Sequence, residues 1–173
     1  MTTTYIRVEV PRDENQLVDF LCSDEWPFHG QRQLVAADVH QMDLASPDVT
    51  TFWIVDGEQT VGLIRLFDLG DIGQGAPQFD LRIASRHRGR GYGNDAVQWI
   101  ATYLFTNYPR LHRIEANTRD DNTAMQAALS LAGFSHEGRL RPSWRGEGEQ
   151  WFDTVIYGIV RSDWTPSQRP SSA

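Results

Sequence analysis

One short loop constrains this chain more than any other feature. The run Arg86-His87-Arg88-Gly89-Arg90-Gly91-Tyr92-Gly93 stands between a strand-like segment, 78–84, and a segment with Val97, Ile100, Ala101 and Leu104 at helical spacing. Three alternate glycines let successive backbone N–H groups converge on one point, where a helix N-terminus adds about half a unit of positive partial charge. Arginines at 82, 86, 88 and 90 gather four of the sixteen basic side chains into nine residues of a chain whose net charge is −7. Guanidinium groups and converging N–H donors both suit the oxygens of a diphosphate. The acidic balance elsewhere argues against a nucleic-acid partner.

Two other phosphate loops do not fit. A P-loop needs a Gly-Lys-Ser/Thr step for phosphate and magnesium, and none follows here. A dinucleotide loop needs GxGxxG with small residues, whereas Gly89-Arg90-Gly91-Tyr92-Gly93 is GxGxG with an arginine inside it. No grouping of His, Cys, Asp and Glu has metal-ligand spacing, so no metal is expected.

The elements around the loop follow from periodicity. Ile6, Val8 and Val10 alternate as a first strand, Asp13 precedes a helix reaching Leu21, and a second helix covers 34–44. Asp56-Gly57 joins 51–55 to 60–68 as a hairpin. A helix over 94–105 follows the loop; 112–118 alternates as a half-buried strand; and a helix over 122–132 ends at Gly133, where a left-handed residue is needed. Strands over 134–140 and 151–160 close the chain. The order β-α-α-β-β-β-α-β-α-β-β predicts an α/β (α+β) domain, a mixed sheet with helices on it. With 173 residues, one domain over 1–164 is expected, followed by a flexible Pro- and Ser-rich tail, 165–173. Cys22, the single cysteine, suits a reducing cytoplasmic setting. No apolar stretch approaches the ~20 residues that span a bilayer, so no membrane partner is expected.

The loop is similar to the R/Q-x-x-G-x-G/A signature of the GCN5-related N-acetyltransferases, with Arg86, Gly89 and Gly91 at its defined positions. Asn122 followed by Gly133-Phe134 resembles the end of that family's next helix, and EGRLR…FDTVIYGI resembles its RimJ/RimL-like branch. The resemblance spans residues 51–160. It implies a mostly antiparallel sheet splayed open to receive acetyl-CoA, with helices on both faces. It further implies that backbone groups near Ile83 and the Asn122 side chain meet the pantetheine arm. Arg86, Arg88, Gly89, Arg90, Gly91, Tyr92 and Gly93 would hold the diphosphate.

Acetyl transfer in this family resembles direct attack of an amine on the thioester, so no enzyme nucleophile is required. A base is needed for the amine, and Glu115 and Asp80, on the strands flanking the opening, are the two candidates. The acid for the leaving thiol is not evident. Leu129 replaces a tyrosine and Met125 a serine found in relatives, which leaves Tyr157 or a water. Trp26, Phe28 and His29 of the WPFHG segment, and Trp144 near the last turn, are either an aromatic wall for the acceptor or core packing. The expected acceptor is a small cationic amine or a protein N-terminus, to which the negative net charge is suited. Aminoglycoside or polyamine transfer is an alternative, with Asn117 standing where aminoglycoside enzymes resemble one another in carrying an aspartate. A non-catalytic acyl-CoA-binding module is the alternative of another class. The oligomeric expectation is a monomer or homodimer.

Overall fold

Strand-forming residues dominate the first half of the chain, and the turn at Gly57, whose φ is +61°, folds them back on themselves. In the computed structural model, which describes residues 3–165, β1 (Thr3–Arg7) and the short β2 (Ala45–Ser46) both pair antiparallel with β3 (Val49–Asp56). Beyond the turn, β4 (Gln59–Phe67) pairs with β3 and then with β5 (Gln78–Ile83), also antiparallel. A second sheet holds β6 (Arg113–Arg119), β7 (Ser135–Arg145) and β8 (Trp151–Val160), in the order β6-β8-β7. Residues 166–173, most of the expected tail, lie outside the described residues.

Helices cover both faces of the first sheet. α1 (Glu14–Cys22) and α2 (Ala36–Gln41) enclose a cluster that includes Leu17, Leu21, Trp26, Trp53 and Leu63. α3 (Tyr92–Asn107) covers the other face, against Ile54, Ile64 and Leu81, and α4 (Thr123–Leu131) packs on α3 and on β7 of the second sheet. α4 ends as its sequence predicts: Gly133 has φ +87°, Phe134 N–H donates to the Leu129 carbonyl and Gly133 N–H to that of Ser130. Among the described residues no helix is long and apolar enough to cross a membrane.

The two sheets touch at one end and then separate. Glu115 N–H donates to the Pro77 carbonyl at 3.1 Å, and Asn117 Nδ2 to Gln78 Oε1 at 2.9 Å. No ladder joins β5 to β6 among the described residues. The edge of β5 from Asp80 to Ile83 therefore faces an open cleft rather than a strand.

Besides the added β2 and a β7 that runs on to Arg145 past the expected 140, two elements differ from expectation. β1 stops at Arg7, after which Val8 turns inward while Ile6 and Val10 stay exposed, so their alternation does not mark one strand face. The second helix is shorter than 34–44, because Val35 takes the N-cap place, its N–H held by the Asp38 carboxylate at 2.9 Å, and Met42 is already extended.

Candidate active site

The cleft is a cavity of about 700 Å³ between β5, β6, the head of α3 and the loop joining α1 to α2. At its α3 end a 3-10 turn, Ser85–His87, carries the chain from β5 into the glycine loop. Gly89 and Gly91 have φ of +74° and +92°, values that L side chains rarely adopt. A Cβ on Gly89, Gly91 or Gly93 would meet nothing within 4 Å, so the space before these N–H groups is open. Tyr92 is buried and its hydroxyl donates to Asp56 at 2.6 Å, which pins the head of α3 to the β3–β4 turn and pushes the phenol pKa up. Such a cradle fits a diphosphate.

The arginines of the loop divide. Arg88 lines the cavity, whereas Arg86 and Arg90 stand exposed and outside its lining, because the intervening residues turn them to the outer side. Arg86 Nε instead donates to His87 Nε2 at 3.0 Å, and burial, reinforced by Arg86 and Arg90, pushes the His87 pKa down. Arg88 crosses the mouth of the cleft. Its Nε donates to the Ile83 carbonyl at 2.9 Å and its Nη2 to the Glu25 carbonyl at 2.6 Å, with the guanidinium 5.7 Å from the Trp26 ring. Asn122 lines the cavity and also caps α4, its Oδ1 accepting from Met125 N–H and its Nδ2 donating to Thr118 Oγ1 at 3.0 Å.

Across the cavity, alternation along β5 places Asp80 and Arg82 on the face opposite Leu81. Asp80 Oδ1 lies 2.7 Å from His29 Nε2, and Asp80 Oδ2 accepts from both Nε and Nη2 of Arg82 at 3.1 Å. Burial alone would raise this carboxyl, but His29 and Arg82 outweigh it and hold the pKa at about 2. Asp80 thus stays ionised and is too weakly basic to serve as proton acceptor itself. Because a carboxylate only accepts, His29 Nε2 carries the proton of their bond, leaving the Nδ1 lone pair buried and without a partner among the described residues.

Trp26 is not an open wall. It is 1% exposed, its Nε1 donates to the Leu21 carbonyl at 2.8 Å, and it forms a floor on which Arg82 and Arg88 stack. Phe28 and His29 line the cavity directly, and Trp144 does so from β7. The second carboxylate candidate is placed elsewhere: Glu115 is absent from the lining. Its backbone sits where the sheets still touch, and its carboxylate accepts from Arg113 Nη2 at 3.1 Å, with the same guanidinium pairing to Glu137. Gly158, opposite Glu115 in register, leaves room for that cluster, since a Cβ there would lie 2.6 Å from Arg113. Tyr157 is likewise buried in the core, against His136, and outside the lining.

The link between His29 and Asp80 was not legible in the sequence, although Asp80 and Arg82 at i, i+2 on a strand signal a same-face ion pair. Arg65 and Phe67 of β4 also line the cavity unannounced; Arg65 lies directly opposite Asp80 of β5 in register.

A sheet splayed open beside a glycine cradle is the architecture of an acetyltransferase-type domain. The pattern of the Acetyltransferase (GNAT) domain matches residues 7–135, and the chain belongs to this family. The probable N-acetyltransferase YjcK of Bacillus subtilis is 26% identical over 143 residues, 81% of this chain and 76% of that protein. The uncharacterized N-acetyltransferase p20 of Bacillus licheniformis is 28% identical over 98 residues, 57% of this chain, and the match spans only 54% of that relative's length. Spermidine N-acetyltransferase from Vibrio cholerae, solved with CoA and spermine, superposes with a TM-score of 0.76 at 19% identity, over 93% of this chain and 96% of its own. A GNAT-family acetyltransferase from Bacillus anthracis gives 0.73 at 18% identity, over 92% and 95%. At such identities the superpositions establish the fold alone.

Proposed function

We propose that the chain moves the acetyl group of acetyl-CoA to a primary amine. The observation that carries this reading is the open cradle of Gly89, Gly91 and Gly93, which shares one cavity with the His29–Asp80 pair. Acetyl-CoA, when bound, supplies an acetyl group activated as a thioester. The Gly89–Gly93 N–H groups and Arg88 hold the diphosphate, the latter by exchanging its bond to the Ile83 carbonyl. Ile83 and Asn122 then border the pantetheine arm.

The amine must lose its proton before it attacks. An α-amine near pKa ~8 is roughly one-tenth neutral at pH 7, against below about 0.1% for a lysine-like amine near ~10.4. His29, oriented by Asp80, takes that proton at Nδ1, which is closed off in this structure and is reached by the amine or one water only after a shift of the 26–30 loop, while Asp80 steadies the imidazolium that forms. Phe28 and Trp144 bound the acceptor side. The branch reading, RimJ/RimL-like, rests on the EGRLR and FDTVIYGI segments. A cytoplasmic setting is supported by the single cysteine and by the use of acetyl-CoA.

Thiol release from acetyl-CoA over a panel of amines, run beside calorimetric titration of CoA, tests the proposal. The expected result is binding, with release that depends on the amine. Binding with no release for any amine would make the chain a non-catalytic module, and absence of binding would remove the cofactor assignment.

A further inference from the structure

The acceptor end of the cavity has a charge pattern that the net charge of the chain conceals. Among the described residues lining the cavity, Asp80 is the only carboxylate, and both of its oxygens are taken by His29 and Arg82. Two guanidinium groups, Arg65 and Arg82, lie on the same sheet face. Arg82 is neutralised by Asp80. Arg65 is not: its Nε is fixed on the Asp43 carbonyl at 2.7 Å and its guanidinium is 5.2 Å from the Phe67 ring. No carboxylate among the described residues lies within ion-pairing distance of it. Arg65 pairs in register with Asp80, so one strand spacing separates this uncompensated cation from the pair that handles the amine.

A polyamine meets this surface badly. After one nitrogen is delivered to His29, its remaining ammonium groups would face Arg65 and Arg82 with no carboxylate to receive them, in a cavity partly screened from water. An acceptor with one amine and one carboxylate meets it well. Its amine sits at His29, and its carboxylate takes the free Nη1/Nη2 fork of Arg65, a planar match that guanidinium makes better than any other side chain. Phe28, Phe67 and Trp144 line the same cavity, which suits an apolar side chain carried on the same carbon.

Resting on the acetyltransferase reading above, we propose that the acceptor is a mono-amine bearing a carboxylate, of the α-amino-acid type, and that Arg65 is the residue that selects it. The test compares kcat/KM for apolar and aromatic α-amino acids, their carboxamides and spermidine, in the wild type and in Arg65→Gln. In the wild type the free acids should exceed their amides and spermidine by at least tenfold. In Arg65→Gln the acid-to-amide ratio should collapse to within about twofold of one. Spermidine equal to or better than the acids, or an undiminished ratio in the variant, overturns the proposal. The wild-type ratio needs no variant, so the proposal stays testable if Arg65→Gln folds poorly. Turnover of some other amine would refute this inference and leave the acetyltransferase reading intact, whereas bound CoA with no turnover of any amine would refute that reading.

Discussion

His29 Nε2 lies 2.7 Å from Asp80 Oδ1, a contact that joins the α1–α2 loop to β5 across 51 residues of sequence. It ties that loop to the strand that borders the cleft. It also gives the site a pH signature.

The Asp80 carboxyl is held at about 2, against 3.8 when free. A folded-state pKa below the unfolded one stabilises the fold above pH ~4, and that contribution disappears as pH falls from there toward 2. The shift corresponds to about 2 kcal/mol. Unfolding measured in urea between pH 2 and 7 should show this acid loss, and Asp80→Asn should be less stable at pH 7 by a similar amount while losing part of the acid dependence. A variant as stable as wild type at pH 7 would mean the pair contributes nothing net.

His29→Gln keeps a polar side chain but removes the proton acceptor. Turnover should fall by ~10²–10⁴, with CoA affinity unchanged. Turnover within a few-fold of wild type would show that the amine sheds its proton to solvent.

Trp26→Ala should cost ~3–5 kcal/mol, because a buried ring and its bond to Leu21 are lost together. In thermal denaturation that corresponds to a fall in midpoint of ~6–20 °C. An unchanged midpoint would contradict the core role.

Much of this fold was legible. The Asp56-Gly57 hairpin, the strand-loop-helix unit at 78–107 and the Gly133 helix end all depend on residues adjacent in the chain, where periodicity and glycine geometry decide the outcome. The site was legible in its cradle and less so elsewhere. Alternation correctly put Glu115 on the polar face of β6, but which partner claims a polar side chain depends on neighbours from other strands; here Arg113 and Glu137 claim it. Likewise the WPFHG sequence left Trp26 between wall and core, with core the commoner fate of such residues, until Leu21 and the arginines above it were placed. Glu115→Gln should accordingly leave acetyl transfer within a few-fold of wild type, measured as thiol release at saturating acceptor; a loss of ~10²-fold or more would restore it as the base.

The central claim is that the glycine cradle holds the diphosphate of acetyl-CoA, so that its acetyl group is given up at the far end of the same cavity. Gly93→Val tests it most directly, because a Cβ at this position meets nothing within 4 Å and needs no left-handed backbone, yet it adds bulk to the cradle where the diphosphate is proposed to lie. Single-turnover thiol release from acetyl-CoA should be measured on wild type and Gly93→Val with matching thermal midpoints. The expected result is release by the wild type on addition of acceptor and none by the variant. Equal release by both would contradict the account.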